Sequence, residues 1–274
     1  MRALVAMSGG VDSSVAAALM VDAGHEVVGV TLKQWEGPDG SLPTAGCCTV
    51  GDAEDARRVA AQLDVPYYVL DYVEEFRAAV VDRFAAEYMA GRTPNPCVEC
   101  NRRVRFRALL DRTTELGCDV LVTGHHARVI RNGRFRLLRG RDGGKDQSYV
   151  LHMLGQQELS RVALPVGELT KGAVRSIAAD LGLRTAAKPE SQDICFVGRG
   201  DYREFLRRHY PEASPAGDIV ATDGTVLGAH DGTAGFTIGQ RKGLGVALGE
   251  PRYVTAIDPA AGTVVVGAKG DLAS

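Results

Sequence analysis

The stretch TPNPCVECNRR sets two cysteines, Cys97 and Cys100, with two residues between them, in a loop stiffened by Pro94 and Pro96. In a reducing compartment such a pair serves as a redox switch, a metal clip or a carrier that hands sulfur to something else. Cys100 directly precedes Asn101, a candidate N-cap, and then Arg102 and Arg103. A helix N-terminus and two cations would both lower its thiol pKa. Cys195, in SQDICFV, follows the polar segment KPESQD and taken alone is a buried core cysteine, as Cys118 in LGCDVLVTG also is. Cys47 and Cys48 are adjacent, cannot easily share one tetrahedral metal, and are assigned to a loop near a nucleotide. His125 and His126 are assigned backbone hydrogen bonds at a strand end.

The second chemical signal is SGGVDSS, at the junction of an apolar run and a helical pattern. Gly9 and Gly10 let the backbone approach phosphate oxygens, Ser8, Ser13 and Ser14 offer hydroxyls, and the helix that follows presents free N–H groups with a positive dipole. The loop lacks the Lys-Ser/Thr ending of a Walker P-loop, so transfer of a γ-phosphate is not the chemistry it suggests.

The elements that position these groups follow from periodicity. RALVAM is a strand, VDSSVAAALMVDAG a helix closed by Gly24, HEVVGVTLK a strand, DAEDARRVAAQLD a helix and YYVLD a strand. EEFRAAVVDRFAAEYMAG and NRRVRFRALLDRTTELG are helices, and DVLVTG is a fourth strand. Such alternation predicts an α/β fold, a Rossmann-like doubly wound parallel sheet over residues 1 to about 125. Ligands of such sheets lie beyond the carboxyl ends of the strands, which puts Ser8–Ser14 beside Thr123 and Gly124. Asn132-Gly133 between alternating runs predicts a hairpin, and ELTKGAVRSIAADLG a helix capped by Thr170 and stopped by Gly182. From about Pro211 the chain is rich in Gly and β-branched residues. The expected organisation is a catalytic domain over residues 1–200 and a small, mainly β domain over 201–274.

With 274 residues, 45% hydrophobic and 24% charged, the chain can bury a sizeable core. It has no run of eighteen apolar residues, and its start turns polar too soon for a signal peptide, so a cytoplasmic protein with no membrane partner is expected. A net charge of −2 argues against a protein that grips nucleic acid over its whole surface. It leaves room for a local basic stripe, and Arg128, Arg131, Arg134, Arg136, Arg139, Arg141 and Lys145 form one along the hairpin.

SGGxDS resembles the pyrophosphate-binding loop of the N-type ATP pyrophosphatases, the PP-loop ATPases. Taken in order, MSGGVDSS, GRTPNPC, TGH, KDQSYVL, PVGELTK, SQDICFV and TIGQRKGLG resemble the bacterial tRNA-specific 2-thiouridylase family from Ala6 to about Lys269. The resemblance implies an enzyme that adenylates C2 of the wobble uridine in a tRNA anticodon loop and replaces its oxygen with sulfur. It implies ATP, with Mg²⁺, at Ala6, Met7, Ser8, Gly9, Gly10, Val11, Asp12, Ser13, Leu32 and Gly124, with Asp12 orienting the ion or the loop. It implies Asn95, Pro96 and Cys97 at the target base and Lys145, Asp146 and Gln147 on tRNA. Cys195 would hold a persulfide, supplied by a cysteine desulfurase or sulfur relay, and Cys100 would release the sulfur or close a disulfide.

Two departures from the family pattern shape the expectations. Many relatives carry Asp where this chain has Cys97, so three thiolates, Cys97, Cys100 and Cys195, could hold a [4Fe–4S] cluster with one iron open. Relatives also continue into a C-terminal β-barrel, while this sequence stops at Ser274, so weaker tRNA affinity with an intact ATP site is expected. The competing readings are an amidotransferase-fed adenylating synthetase and a non-catalytic sensor of ATP and a cluster.

Overall fold

The computed structural model describes residues 1–36, 49–190, 194–197, 201–246 and 249–272. Cys47 and Cys48 lie outside the described residues. Chain contacts divide the protein into two compact units, one of residues 1–80 and 97–198, the other of 81–96 and 199–274.

In the first unit, β1 (Arg2–Ala6) leads through the glycine turn into α1 (Val11–Asp22), then β2 (Glu26–Lys33), α2 (Val50–Gln62) and β3 (Tyr67–Asp71). A helical run follows from α3 (Val73–Phe76) through a wide π-type turn at Arg77–Val81 into α4 (Asp82–Met89), which belongs to the second unit. The run expected as one helix therefore passes from one unit to the other at the π turn. After α4 come α5 (Pro96–Glu99), a second π-type turn at Cys100–Arg105, α6 (Phe106–Glu115) and β4 (Val120–Val122). β5 (Ala127–Asn132) and β6 (Arg134–Arg139) make the expected hairpin, with Asn132 opposite Arg134. Next come α7 (Gln156–Leu159), β7 (Val162–Ala163) and α8 (Lys171–Asp180), the last capped as expected by the Thr170 hydroxyl.

The sheet order is β3-β2-β1-β4-β7, every pair parallel. β1 alternates faces: Ala3, Val5 and Met7 pack toward the cluster holding residues of α1, α2 and α8, while Leu4 packs with Phe106, Leu109 and Leu110 of α6. Burial on both faces makes this the doubly wound sheet the alternation predicted. β7, two residues long, carries no periodic signal, and the sequence reading stops the sheet at β4. The strand order reverses between β1 and β4, which opens the crevice where such sheets bind ligands.

The second unit contains α4, α9 (Tyr202–His209), and the strands β8 (Gly217–Ala221), β9 (Val226–His230), β10 (Tyr253–Asp258) and β11 (Thr263–Gly267). Their order is β10-β11-β8-β9, around a core of Ile219, Phe236, Leu244, Val254, Val264 and Val266. The Tyr88 ring of α4 stacks on Tyr202 of α9 with centroids 5.6 Å apart.

Candidate active site

The glycine turn sits at the switch point. Gly9 has φ +69°, and a Cβ there would lie 2.1 Å from the carbonyl oxygen of Asp52, so α2 closes against the turn only because no side chain intervenes. Gly124, just beyond β4, plays the same part on the other side: a Cβ there would lie 2.6 Å from the Ser13 amide nitrogen. Gly10 caps α1 without a side-chain bond, which leaves the first amides of the helix for an anion. Within the turn the Ser8 amide donates to Ser13 Oγ at 3.1 Å, and Ser13 Oγ donates to the Gly10 carbonyl at 3.1 Å. Ser14, expected to face the ligand, is buried and donates to the Gly10 carbonyl at 2.8 Å. Ala6 is half-buried, while Met7, Val11 and Leu32 are core residues.

Asp12 joins the turn to a charged chain that the sequence reading did not foresee. Lys171, the first residue of α8, donates to both carboxylate oxygens of Asp12, at 2.9 and 2.7 Å, and pairs with Glu190 at 3.0 Å. Glu190 also accepts from Lys145 at 2.7 Å. His126 Nε2 lies 3.0 Å from Asp12 Oδ1, so this histidine serves the loop through its ring rather than only through backbone bonds. Burial alone would raise the Asp12 pKa, but the hydrogen bonds from His126 and Lys171 outweigh it and hold the carboxyl below its ordinary value. The His125 ring, bonded to Thr123 Oγ1 at 2.7 Å, is pushed down to about 3 by burial and is a neutral imidazole. Lys188 closes the other side, donating to the Gly9 carbonyl at 2.9 Å and to Asp52 and Asp55 at 2.7 Å each.

The KDQ motif also makes bonds within the protein. Lys145 holds Glu190, Gln147 Oε1 accepts from the His126 amide at 2.9 Å, and Asp146 accepts from the Gly140 amide at 3.0 Å and the Ser148 hydroxyl at 2.9 Å. The signal that could have found Lys171 was local. A lysine in the first turn of a helix opposes the helix dipole, a misfit that a nearby carboxylate must relieve.

Cys100 is not where the sequence placed it. The helical run begins at Pro96, so Cys97 occupies its first turn and Cys100 opens the π-type turn one turn later. Arg102 and Arg103 bond Glu99, at 3.2 and 2.7 Å, so both supports proposed for a reactive Cys100 are directed elsewhere. Instead the buried Gln34, just past β2, donates Nε2 to Cys100 Sγ at 3.4 Å. The next residue, Trp35, packs against Phe196 with centroids 6.0 Å apart, and Phe76 packs on the same ring at 6.0 Å. Phe196 is the neighbour of Cys195, so the two cysteine segments are held by adjacent residues at the end of one strand. Cys97 is exposed, Cys100 and Cys118 are buried and Cys195 is half-buried. Burial pushes the Cys118 thiol up, in keeping with its reading as a core residue.

Among the described residues no group of three or more His, Cys, Asp or Glu side chains is placed to share a metal ion. The cysteines therefore do not fit a cluster with three protein thiolates, and no step below runs through one. Asn95 is exposed and Pro96 buried; both group with the second unit, and Cys97 with the first. Among the described residues no helix is long and apolar enough to cross a membrane.

A glycine loop at the switch point of a parallel sheet, backed by a buried lysine, defines an α/β domain of the nucleotide-binding kind. The profile of the tRNA methyl transferase HUP domain matches residues 1–199, and that of the tRNA methyl transferase PRC-barrel domain residues 203–268. The chain is 54% identical over 266 residues to the tRNA-specific 2-thiouridylase MnmA of Chloroflexus aurantiacus, covering 96% of this chain and 74% of that one. It is 52% identical over 275 residues to the protein of the same name from Moorella thermoacetica, covering 98% and 76%. The chain belongs to the tRNA-specific 2-thiouridylase MnmA family. Among solved structures, a 4-thiouridine synthetase–RNA complex with bound ATP aligns with TM-score 0.48 and 17% identity, over 77% of this chain and 51% of that one.

Proposed function

We propose that the chain is an ATP-dependent tRNA sulfurtransferase that converts the wobble uridine to 2-thiouridine. The observation that carries this reading is the junction at the end of β2, where Gln34 meets Cys100 and Trp35 meets the neighbour of Cys195, in the same compact unit as the glycine turn. Ser8 to Ser13, with the first amides of α1, hold the phosphates of ATP, and Mg²⁺ enters with the nucleotide as part of the substrate.

The C2 carbonyl oxygen of uridine attacks the α-phosphorus and expels pyrophosphate. The adenylated oxygen is then a good leaving group. The terminal sulfur of a Cys195 persulfide forms the new bond to C2, and AMP departs with the oxygen. The Cys100 thiolate attacks Cys195 Sγ, the bond from that sulfur to the transferred sulfur breaks, and its electrons leave with the sulfur now carried on C2. A dithiol reductant returns the Cys100–Cys195 disulfide to thiols, and a sulfur-donor protein reloads Cys195. The base must leave its stack to be reached, which an anticodon loop allows at less cost than a duplex. Asn95, Pro96 and Cys97 receive it in this reading, and Lys145, Asp146 and Gln147 shape the tRNA-facing loop.

Incubation with ATP, Mg²⁺, a persulfide donor and unmodified tRNA should yield 2-thiouridine by mass spectrometry. Pyrophosphate release should require both ATP and tRNA; release with ATP alone, and no thiolated base, would end the proposal. The basic hairpin adds a second expectation. Arg134 and Arg139 are exposed on β6, the latter with 88% of its side chain open to solvent. Replacing either by glutamine should weaken binding of every tRNA to a similar degree and lower the salt slope of log affinity by about one. Filter binding across salt concentrations reads this, and a loss confined to one tRNA would contradict a backbone contact.

A further inference from the structure

We infer that Gln34 is a positioning residue that prepares Cys100 as a thiolate, an inference that rests on the proposed role of Cys100 as the attacking sulfur. A buried thiol without help is an inert hydrophobe whose proton is held more tightly than in water. Cys100 is 7% exposed; Arg102 and Arg103 bond Glu99, and the helical run begins one turn back at Pro96. The amide of Gln34, itself 1% exposed, donates to its sulfur at 3.4 Å.

An N–H donor bonds a charged sulfur about twice as strongly as a neutral one, so the contact favours the thiolate over the thiol. A neutral donor also does this without locking the sulfur in an ion pair, so the thiolate stays available to attack. Gln34 and Trp35 are consecutive residues just past β2. One reaches Cys100 while the other seats Phe196 beside Cys195. The same two residues thus set the state of the attacking thiol and hold the segment it attacks.

The test reads Cys100 directly, with no ATP or tRNA present. The full-length chain is alkylated with iodoacetamide across a pH series, and the modified Cys100 peptide is quantified by mass spectrometry. Gln34→Met keeps the shape and removes the donor; Gln34→Glu keeps the shape and adds a negative charge. The rate midpoint should rise by about one pH unit in the Met variant and further in the Glu variant. A midpoint that is unchanged or lower in both variants overturns the inference, because it means that the amide oxygen faces the sulfur or that the contact has no effect on its proton. Alkylation of the buried Cys118 in the same digest reports loss of fold, and a variant that fails this control is replaced by Gln34→Asn with the same expected rise. Separately, the Met variant should retain tRNA-dependent pyrophosphate release while 2-thiouridine formation falls at least tenfold. Should the unaltered chain form no 2-thiouridine, the proposed function fails while the alkylation midpoint still decides the role of Gln34.

Discussion

A Cys195→Ser chain should form no more than about a thousandth of the 2-thiouridine made by the unaltered chain, because a hydroxyl oxygen cannot carry a sulfane sulfur and no second nucleophile replaces a missing one. Pyrophosphate release with ATP and tRNA should persist, since in the proposed reaction adenylation uses the glycine turn and not this thiol. Cys195 is half-buried, and the ring that seats its segment belongs to Phe196, so serine should leave the fold unchanged. Quantitative nucleoside mass spectrometry with a parallel pyrophosphate assay separates the two half-reactions. Undiminished thiolation would mean that sulfur travels by another route, and loss of both activities would mean that the residue shapes the nucleotide site instead.

The second large effect is expected at Lys171. Its side chain is 11% exposed and its ammonium pairs with Asp12 and Glu190 together, so Lys171→Met leaves two carboxylates without their shared cation. Removing one partner of a buried pair costs about 3–5 kcal/mol; Asp12 and Glu190 retain 28% and 26% of their side-chain exposure, which brings the expected loss nearer about 2 kcal/mol. For a chain of this size that is a fall of about 5 °C in Tm.

The loss should depend on pH in a defined sense. Both carboxyls are held below their ordinary values, Asp12 by His126 and Lys171 against its burial, Glu190 by Lys145 and Lys171. A depressed folded pKa contributes stability that is complete above the unfolded value and disappears as pH falls through the folded one. The difference between the two chains should therefore be full at pH 7 and close below about pH 4. ATP affinity should fall at least tenfold at neutral pH, since Asp12, in the first turn of α1, loses the cation that bonds both of its carboxylate oxygens. Thermal melts and nucleotide titrations over pH check both. An equal Tm at pH 7 would show that the ion pair has no net effect on stability.

The parallel sheet was readable because its central strands β1 and β2 are buried apolar runs separated by helical segments, and because glycines mark the ends of α1 and α8. The hairpin announced itself through Asn132-Gly133. What escaped was the part without periodicity. β7 is too short to show a pattern, and the two π-type turns leave no trace in propensity, since they arise where packing adds a residue to a helical turn. The second of these turns explains the error at Cys100. Asn101 has the chemistry of an N-cap, but Pro96 starts the helix earlier, and the thiol loses the N-terminus to Cys97.

By itself the sequence determined the layers of the sheet and the position of the glycine turn at its switch point, because both follow from local pattern and residue chemistry. Tertiary structure alone decided which charge neutralises which. Lys171 is 159 positions from Asp12, and Gln34 is 66 from Cys100. Such pairings carry no local signal: a buried cation or thiol takes whichever partner the packed sheet brings within hydrogen-bonding distance, and only the folded chain specifies that partner.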